Sequence, residues 1–308
     1  MPVTLPAKCI GWIALKALSN RSAAVTGQVL NTFSNSFYLK TGSGDLVFVT
    51  NRSVRSPITI NLETTHNLER LARPKELVHV RGSEIQIGED CIIELDEASL
   101  YQSRSGFPSE LGPQLARIEK SLRVVSFILR IVDTSQSVLD PRALAHGGMV
   151  DFVSSGIIPL RRPGMEGQFR EAALKIVGLG SGFTPSGDDV LGGFLLAYNS
   201  LAKAIGRVSI LLDSQLLEEK TNWISAKLLD YTQRLIFDEQ LQRFIDSVFS
   251  EDKDAPTIAL ETLLPRGHTS GIDIALGAIL ALSLIRDVAL KKEETEIIAR
   301  ALGLHSLA

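Results

Sequence analysis

Two periods divide the chain. Up to about residue 100, apolar and polar positions alternate in short runs. AAVTGQVLNTFSNSFYLKT (23–41), DLVFVTN (45–51) and SPITINL (56–62) are rich in β-branched and aromatic residues, which predicts strands. ELVHVRGSEIQIGEDCIIEL (76–95) continues the pattern, with breaks at Arg81-Gly82 and at Gly88–Asp90. Short strands at this spacing predict a small β-barrel or sandwich. The segment 103–112, rich in Gly, Pro and Ser, reads as a linker. Beyond it the apolar period becomes helical: Leu115, Ile118, Leu122, Val125 and Leu129 fall on one stripe. Asp140-Pro141 reads as a helix cap followed by proline at the first helical position. Helices are predicted over 141–154, 166–177, 187–203, 213–232, 238–249, 256–263, 271–286 and 292–302. Two of them, 187–203 and 271–286, are apolar on nearly every face and belong at the centre of a bundle. The fold class is α+β, with a β-rich N-terminal domain (1–105) and a larger all-helical domain (113–308).

Length and composition agree with this division. A chain of 308 residues has room for two domains. Its 44% hydrophobic and 22% charged content is that of a globular protein. The net charge of −3 supplies no global basic field, so neither nucleic acid nor an anionic membrane is an expected partner. Cys9 and Cys91 are too few for a disulfide framework or a cysteine metal site, which fits a reducing, cytoplasmic setting. Lys8 followed by CIGWIAL (9–15) is too short an apolar core for a secretion signal, and Lys16 interrupts it. The run IALGAILALSLI (274–285) is too short to span a bilayer.

The candidate chemistry lies in a repeated phrase. GFTPSGDDVLGG (182–193) returns as GHTSGIDIALGA (267–278). Ser186 aligns with Ser270, Gly187 with Gly271, Asp189 with Asp273 and Gly193 with Gly277, a constant offset of 84 residues. Upstream, Gly182 and Gly267 precede Thr184 and Thr269, and the first copy carries the extra Pro185. A single copy reads as a capping box, Ser-x-x-Asp, whose glycines permit close helix approach. Two copies point further. Helix starts carry unpaired N–H groups and partial positive charge, which suit anions. If the two central helices begin side by side, Thr184, Ser186, Gly187, Thr269, Ser270 and Gly271 line one pocket, with Arg266 adding positive charge. His268, Asp189 and Asp273 are then the catalytic candidates. Asp188, Asp189 and Asp273 are the candidate ligands should a magnesium ion bind, and no other cofactor is indicated.

Neighbouring motifs do not compete. The Gly182/Gly187 spacing is that of a P-loop, but Asp188-Asp189 stand where Lys and Ser/Thr are required. Gly178-Leu-Gly180-Ser-Gly182 misplaces the third glycine of the dinucleotide fingerprint. His66, His79 and His305 stand alone, without metal-type spacing. His146 precedes an unusual Gly147-Gly148 pair, and Arg161-Arg162 lie in a loop that is either an anion gate or simply solvated. Thr221-Asn222 and Ser225 form a polar stripe facing either the pocket or solvent.

GFTPSGDDVLGG with RGHTSGIDIALGA resembles a bacterial family that includes AllH, a subunit linked to oxamate carbamoyltransferase in allantoin breakdown. The resemblance extends to the β-rich N-terminal part and to a Thr-x-x-Ile-Ser helix (Thr221, Ile224, Ser225); the family's pattern usually has leucine where this chain has Phe183. It implies carbamoyl transfer between carbamoyl phosphate and the amide nitrogen of oxamate, or the reverse reaction with phosphate, and it implies companion subunits. Two other readings stand beside it. One is a magnesium-dependent hydrolase of ADP-ribosylglycohydrolase type, whose layout lacks a β-rich N-terminal region. The other is a non-catalytic binding or scaffold subunit.

Overall fold

The computed structural model describes residues 2–19, 27–103, 107–131, 148–267 and 269–291. The chain divides into two compact units: Met1–Arg104 with Ile236–Glu239, and Ser105–Leu235 with Gln240–Ala308.

The first unit is an eight-stranded β-barrel. β1 (Val3–Gly11), β2 (Gly27–Phe33), β3 (Ser36–Thr41), β4 (Leu46–Thr50), β5 (Thr59–Leu62), β6 (Leu77–Arg81), β7 (Glu84–Ile87) and β8 (Cys91–Glu94) run in the order β5-β4-β3-β2-β6-β7-β8-β1. Pairing of β1 with β5 closes the ring, and β9 (Ser99–Tyr101) adds to β1. Closure removes the exposed sheet edges that a sandwich would retain. The strand β1 serves both sides by switching partners. Val3–Pro6 pair with β8 and Ala7–Ile10 with β5, with an irregularity between Ala7 and Cys9. Period-two burial sends Leu5, Val29, Leu39, Val49, Ile85 and Ile93 into one core. The expected breaks are hairpin turns at Gly82 and Gly88, both with positive φ. A short helix, α1 (Trp12–Leu18), falls where the sequence pattern gave no element. Its start is held by the Pro57 carbonyl, which accepts from the N–H groups of Ile13 and Ala14.

The second unit is helical. Its described helices are α2 (Leu115–Ile131), α3 (Gly148–Asp151, continuing into a π-helical turn at Phe152–Ile157), α4 (Glu166–Ile176), α5 (Ser186–Leu201), α6 (Ser214–Lys220), α7 (Trp223–Gln233), α8 (Glu239–Ser247), α9 (Ala255–Leu263) and α10 (Ser270–Ala289). The helix expected over 213–232 is in fact two. Thr221 is extended and Asn222 caps the second, its side chain accepting from the Ser225 N–H. The reason is local: Thr and Asn offer the backbone side-chain bonds that compete with helix continuation. The expected helix 292–302, the Asp140-Pro141 cap and His146 lie outside the described residues.

The centre is the pair α5 and α10. Every residue of α5 except Asp189 is buried, as is α10 from Gly271 to Asp287. A Cβ on Gly193 would lie 2.0 Å from the Ile274 carbonyl oxygen, and one on Gly277 would lie 1.9 Å from that of Val190. Val190/Ile274 and Gly193/Gly277 are equivalent positions of the repeat, so the helices cross backbone to backbone with approximate two-fold symmetry. The preceding helices obey the same rule. A Cβ on Gly187 would lie 2.0 Å from the Ile176 oxygen at the end of α4, and one on Gly271 would lie 2.1 Å from the Leu263 oxygen at the end of α9. The repeated unit is therefore helix, loop, buried helix: α4–α5 and α9–α10. Phe169, Phe194 and Tyr198 stack in sequence along α5, with Phe152 packed at an angle against the first two.

Candidate functional site

The two loops that enter the central helices meet. The Thr184 hydroxyl, two residues before α5, lies 3.1 Å from the hydroxyl of Ser270, the first residue of α10, and donates to Asp189 Oδ2 at 3.0 Å. Ser270 hydrogen-bonds the Asp189 carboxyl as well. Side chains from the two repeat copies thus converge on one carboxyl group in the first turn of α5. Asp189 is half-buried, and burial pushes its pKa up to about 7. The hydrogen bonds from Ser270 and Thr184 and the charge of Arg266 act in the opposite direction, while Asp273 adds to the rise. Loss of solvation disfavours the charged form more than these partners restore it. Asp273, at the equivalent position of α10, is fully buried.

Neither serine caps its helix. The cap positions are Pro185 and Thr269, and neither makes a side-chain cap bond. Ser186 and Ser270 are the first helical residues, which aims their hydroxyls away from the capping role that Ser-x-x-Asp suggested. Ser270 is engaged with Thr184 and Asp189. The Ser186 hydroxyl is buried without a hydrogen-bond partner among the described residues.

The expected bare N–H groups are largely occupied. Gly187 N donates to the Leu179 carbonyl at 2.8 Å, and Asp188 N and Asp189 N donate to Pro185 at 3.0 and 3.1 Å. In the second copy Gly271 N donates to Arg266 at 3.1 Å, and Ile272 N and Asp273 N to Thr269 at 2.9 and 3.0 Å. What remains for an anion is the helix dipole and the half-buried Arg266, set against the carboxyls of Asp189 and Asp273. This balance favours a ligand that offers N–H groups as well as negative charge.

Asp188 faces the other way. Only 2% exposed, it accepts from the Gly178 N–H at 2.7 Å through Oδ1, and from the hydroxyls of Thr221 at 2.5 Å and Ser225 at 2.6 Å through Oδ2. Thr221 and Ser225 of the polar stripe, at the entry to α7, therefore bind Asp188. A magnesium ion at this carboxylate would have to displace these donors. Among the described residues no group of three or more His, Cys, Asp or Glu side chains is placed to hold a metal ion. His268 lies outside the described residues. Arg161 is found elsewhere, its Nη2 3.9 Å from Asp287 Oδ2 near the far end of α10, beside Arg286.

The sequence pattern had left open the partner of Thr221 and Ser225, because Asp188 lies 33 and 37 residues away and no spacing rule connects them. It set Asn222 in the same stripe without a partner; Asn222 donates from Nδ2 to the Phe183 carbonyl at 3.0 Å.

If the Ser186 hydroxyl has no structural partner, Ser186→Ala should leave stability unchanged or raise it by up to about 1 kcal/mol in urea unfolding. A loss above that magnitude would show that the hydroxyl is bonded in solution.

A β-barrel unit and a helical unit with paired Ser-Gly helix starts together define a protein class. The family model described as oxamate carbamoyltransferase subunit AllH matches residues 176–282, from the last residue of α4 into α10, and includes both copies of the repeat. The model of the AllH family N-terminal domain matches residues 7–100, the barrel. The chain belongs to the AllH family. No curated protein and no solved structure matches it. No helix among the described residues is long and apolar enough to cross a membrane.

Proposed function

We propose that the chain takes part in carbamoyl transfer between carbamoyl phosphate and oxamate, as a subunit whose reacting groups bind where α5 and α10 begin. The observation that carries this reading is the convergence of Thr184 and Ser270, from the two repeat copies, on Asp189. In the direction of synthesis the amide nitrogen of oxamate bonds to the carbamoyl carbon. The bond from that carbon to the phosphate oxygen breaks, and phosphate leaves with the electron pair. The amide proton must go to a base, and the Asp189 carboxylate takes it. A carboxyl group titrating near neutrality can accept that proton and return it in the reverse reaction with phosphate. The hydroxyls of Thr184, Ser270 and Ser186 and the Arg266 guanidinium orient the carboxylate and phosphate groups. Catalysis of this kind is mostly positioning and stabilisation of developing oxyanion charge.

The family description names a subunit, so companion chains belong to this reading. The test is an assay for carbamoyl transfer from carbamoyl phosphate to oxamate, with the chain alone and with its companion subunits. Ser270→Ala and Ser186→Ala should each weaken oxamate or phosphate binding about tenfold by calorimetry, the value of one hydrogen bond to a charged group. Unchanged binding in both variants would count decisively against the site. Turnover by the chain alone would remove the scaffold reading.

A further inference from the structure

The Gly178–Pro185 loop carries Thr184 into the site, yet its own sequence does little to fix it. Gly178, Gly180 and Gly182 all have positive φ, where no side chain limits the backbone. The loop is instead anchored at both ends on the start of α7. At its beginning, the Gly178 N–H is bound by Asp188, which also takes the Thr221 and Ser225 hydroxyls, and a Cβ on Gly178 would lie 2.4 Å from the Lys220 carbonyl oxygen. Near its end, Asn222 divides its side-chain amide. Oδ1 accepts from the Ser225 N–H as the cap of α7, while Nδ2 donates to the Phe183 carbonyl.

That last bond falls on a decisive peptide. The Phe183 carbonyl and the Thr184 N–H share one rigid plane. Holding the carbonyl leaves only rotations within Thr184 itself to move its hydroxyl. We propose that Asn222 is a positioning residue of the site: by holding the Phe183 carbonyl it sets the Thr184 hydroxyl between Asp189 and Ser270. Asn222 touches neither carboxyl group and acts only through Thr184. Its functional consequence rests on the carbamoyl-transfer reading, but its geometric consequence does not.

The test uses the full chain with ¹³C-labelled aspartate, following Asp189 by NMR titration and assigning its signal with Asp189→Asn. Asn222→Ser removes the donor to Phe183 and keeps a hydroxyl able to cap α7. Asn222→Thr serves as a second cap-competent variant. Thr184→Val marks complete loss of the threonine bond. Because that bond favours the charged carboxylate, Asn222→Ser should raise the Asp189 midpoint by about half a pH unit, in the same direction as Thr184→Val. Adding Asn222→Ser to Thr184→Val should shift it no further. A merely structural role would change thermal stability and leave the midpoint in place, so an unmoved midpoint in both Asn222 variants overturns the proposal. In parallel, the oxamate Kd should rise several-fold in Asn222→Ser. Should the unaltered chain fail to bind oxamate, the functional reading falls while the titration still decides the role of Asn222.

Discussion

Gly277→Ala should cost the helical unit about 3 kcal/mol and lower its Tm by about 10 °C, although it adds a single methyl group. The methyl would sit 1.9 Å from the Val190 carbonyl oxygen and 2.8 Å from the Phe194 nitrogen, both backbone atoms of a fully buried helix that no rotamer change can move. Relief requires α5 and α10 to separate, which opens the packing along their whole contact. Gly193→Ala, against Ile274, should behave in the same way. The double variant should lose clearly less than the sum of the two, because one separation of the helices relieves both overlaps. Gly192 supplies the control. Its Cβ would meet only the Leu229 side chain at 3.7 Å, an ordinary contact, so Gly192→Ala should be neutral or stabilising through helix propensity. Urea unfolding of the four variants checks the set. A Gly193→Ala variant as stable as Gly192→Ala would contradict the backbone crossing.

The same glycines show what was legible in the sequence. Alternation and turn residues gave the four runs that hold β2 to β8 and the breaks at Gly82 and Gly88, because period-two burial and left-handed turn glycines are written locally. The offset of 84 residues was equally visible, and it identified the two helices whose backbones touch. What could not be read was which atoms meet. Ser-x-x-Asp looks like a cap in one dimension, but helix α5 begins one residue too early for Ser186 to cap it, at Ser186 itself. Asp188 and Asp189 are adjacent and look interchangeable as ligands. A step of one residue on a helix turns the side chain by about 100°, and here it sends Asp188 to α7 and Asp189 to α10. The break at Thr221-Asn222 was missed for a related reason. The apolar period continues across it, and the local Asn222 cap is reinforced by tertiary partners, Asp188 and the Phe183 carbonyl, that no sequence spacing reveals. The barrel could not be told from a sandwich because closure depends on β1 changing partners halfway along its length.

Asp189 ties these points to a second expected result, in which stability and activity respond to pH in opposite directions. In the unfolded chain this carboxyl has the ordinary value of 3.8; in the fold it titrates at about 7. Below pH 3.8 it is protonated in both states and contributes the whole of its favourable term. Between pH 4 and 7 the unfolded chain releases the proton and the folded one keeps it, so stability falls as pH rises, and above about pH 7 the loss is complete. The total is on the order of 2–4 kcal/mol, the upper figure being about three pH units at 1.36 kcal/mol each and the lower allowing for partial exposure. Asp189→Asn should therefore be more stable than the unaltered chain at pH 8, with the advantage vanishing at pH 4. Taking the difference between the two proteins removes every other titrating group from the comparison. If Asp189 also takes the amide proton during transfer, synthesis should rise through an ionisation near pH 7 while stability falls through it. The asparagine variant, lacking a base, should then lose about a hundredfold or more in kcat. Parallel stability curves for the two proteins from pH 4 to 8 would place the carboxyl in solvent, and the convergence of Thr184 and Ser270 upon it would lose its chemical meaning.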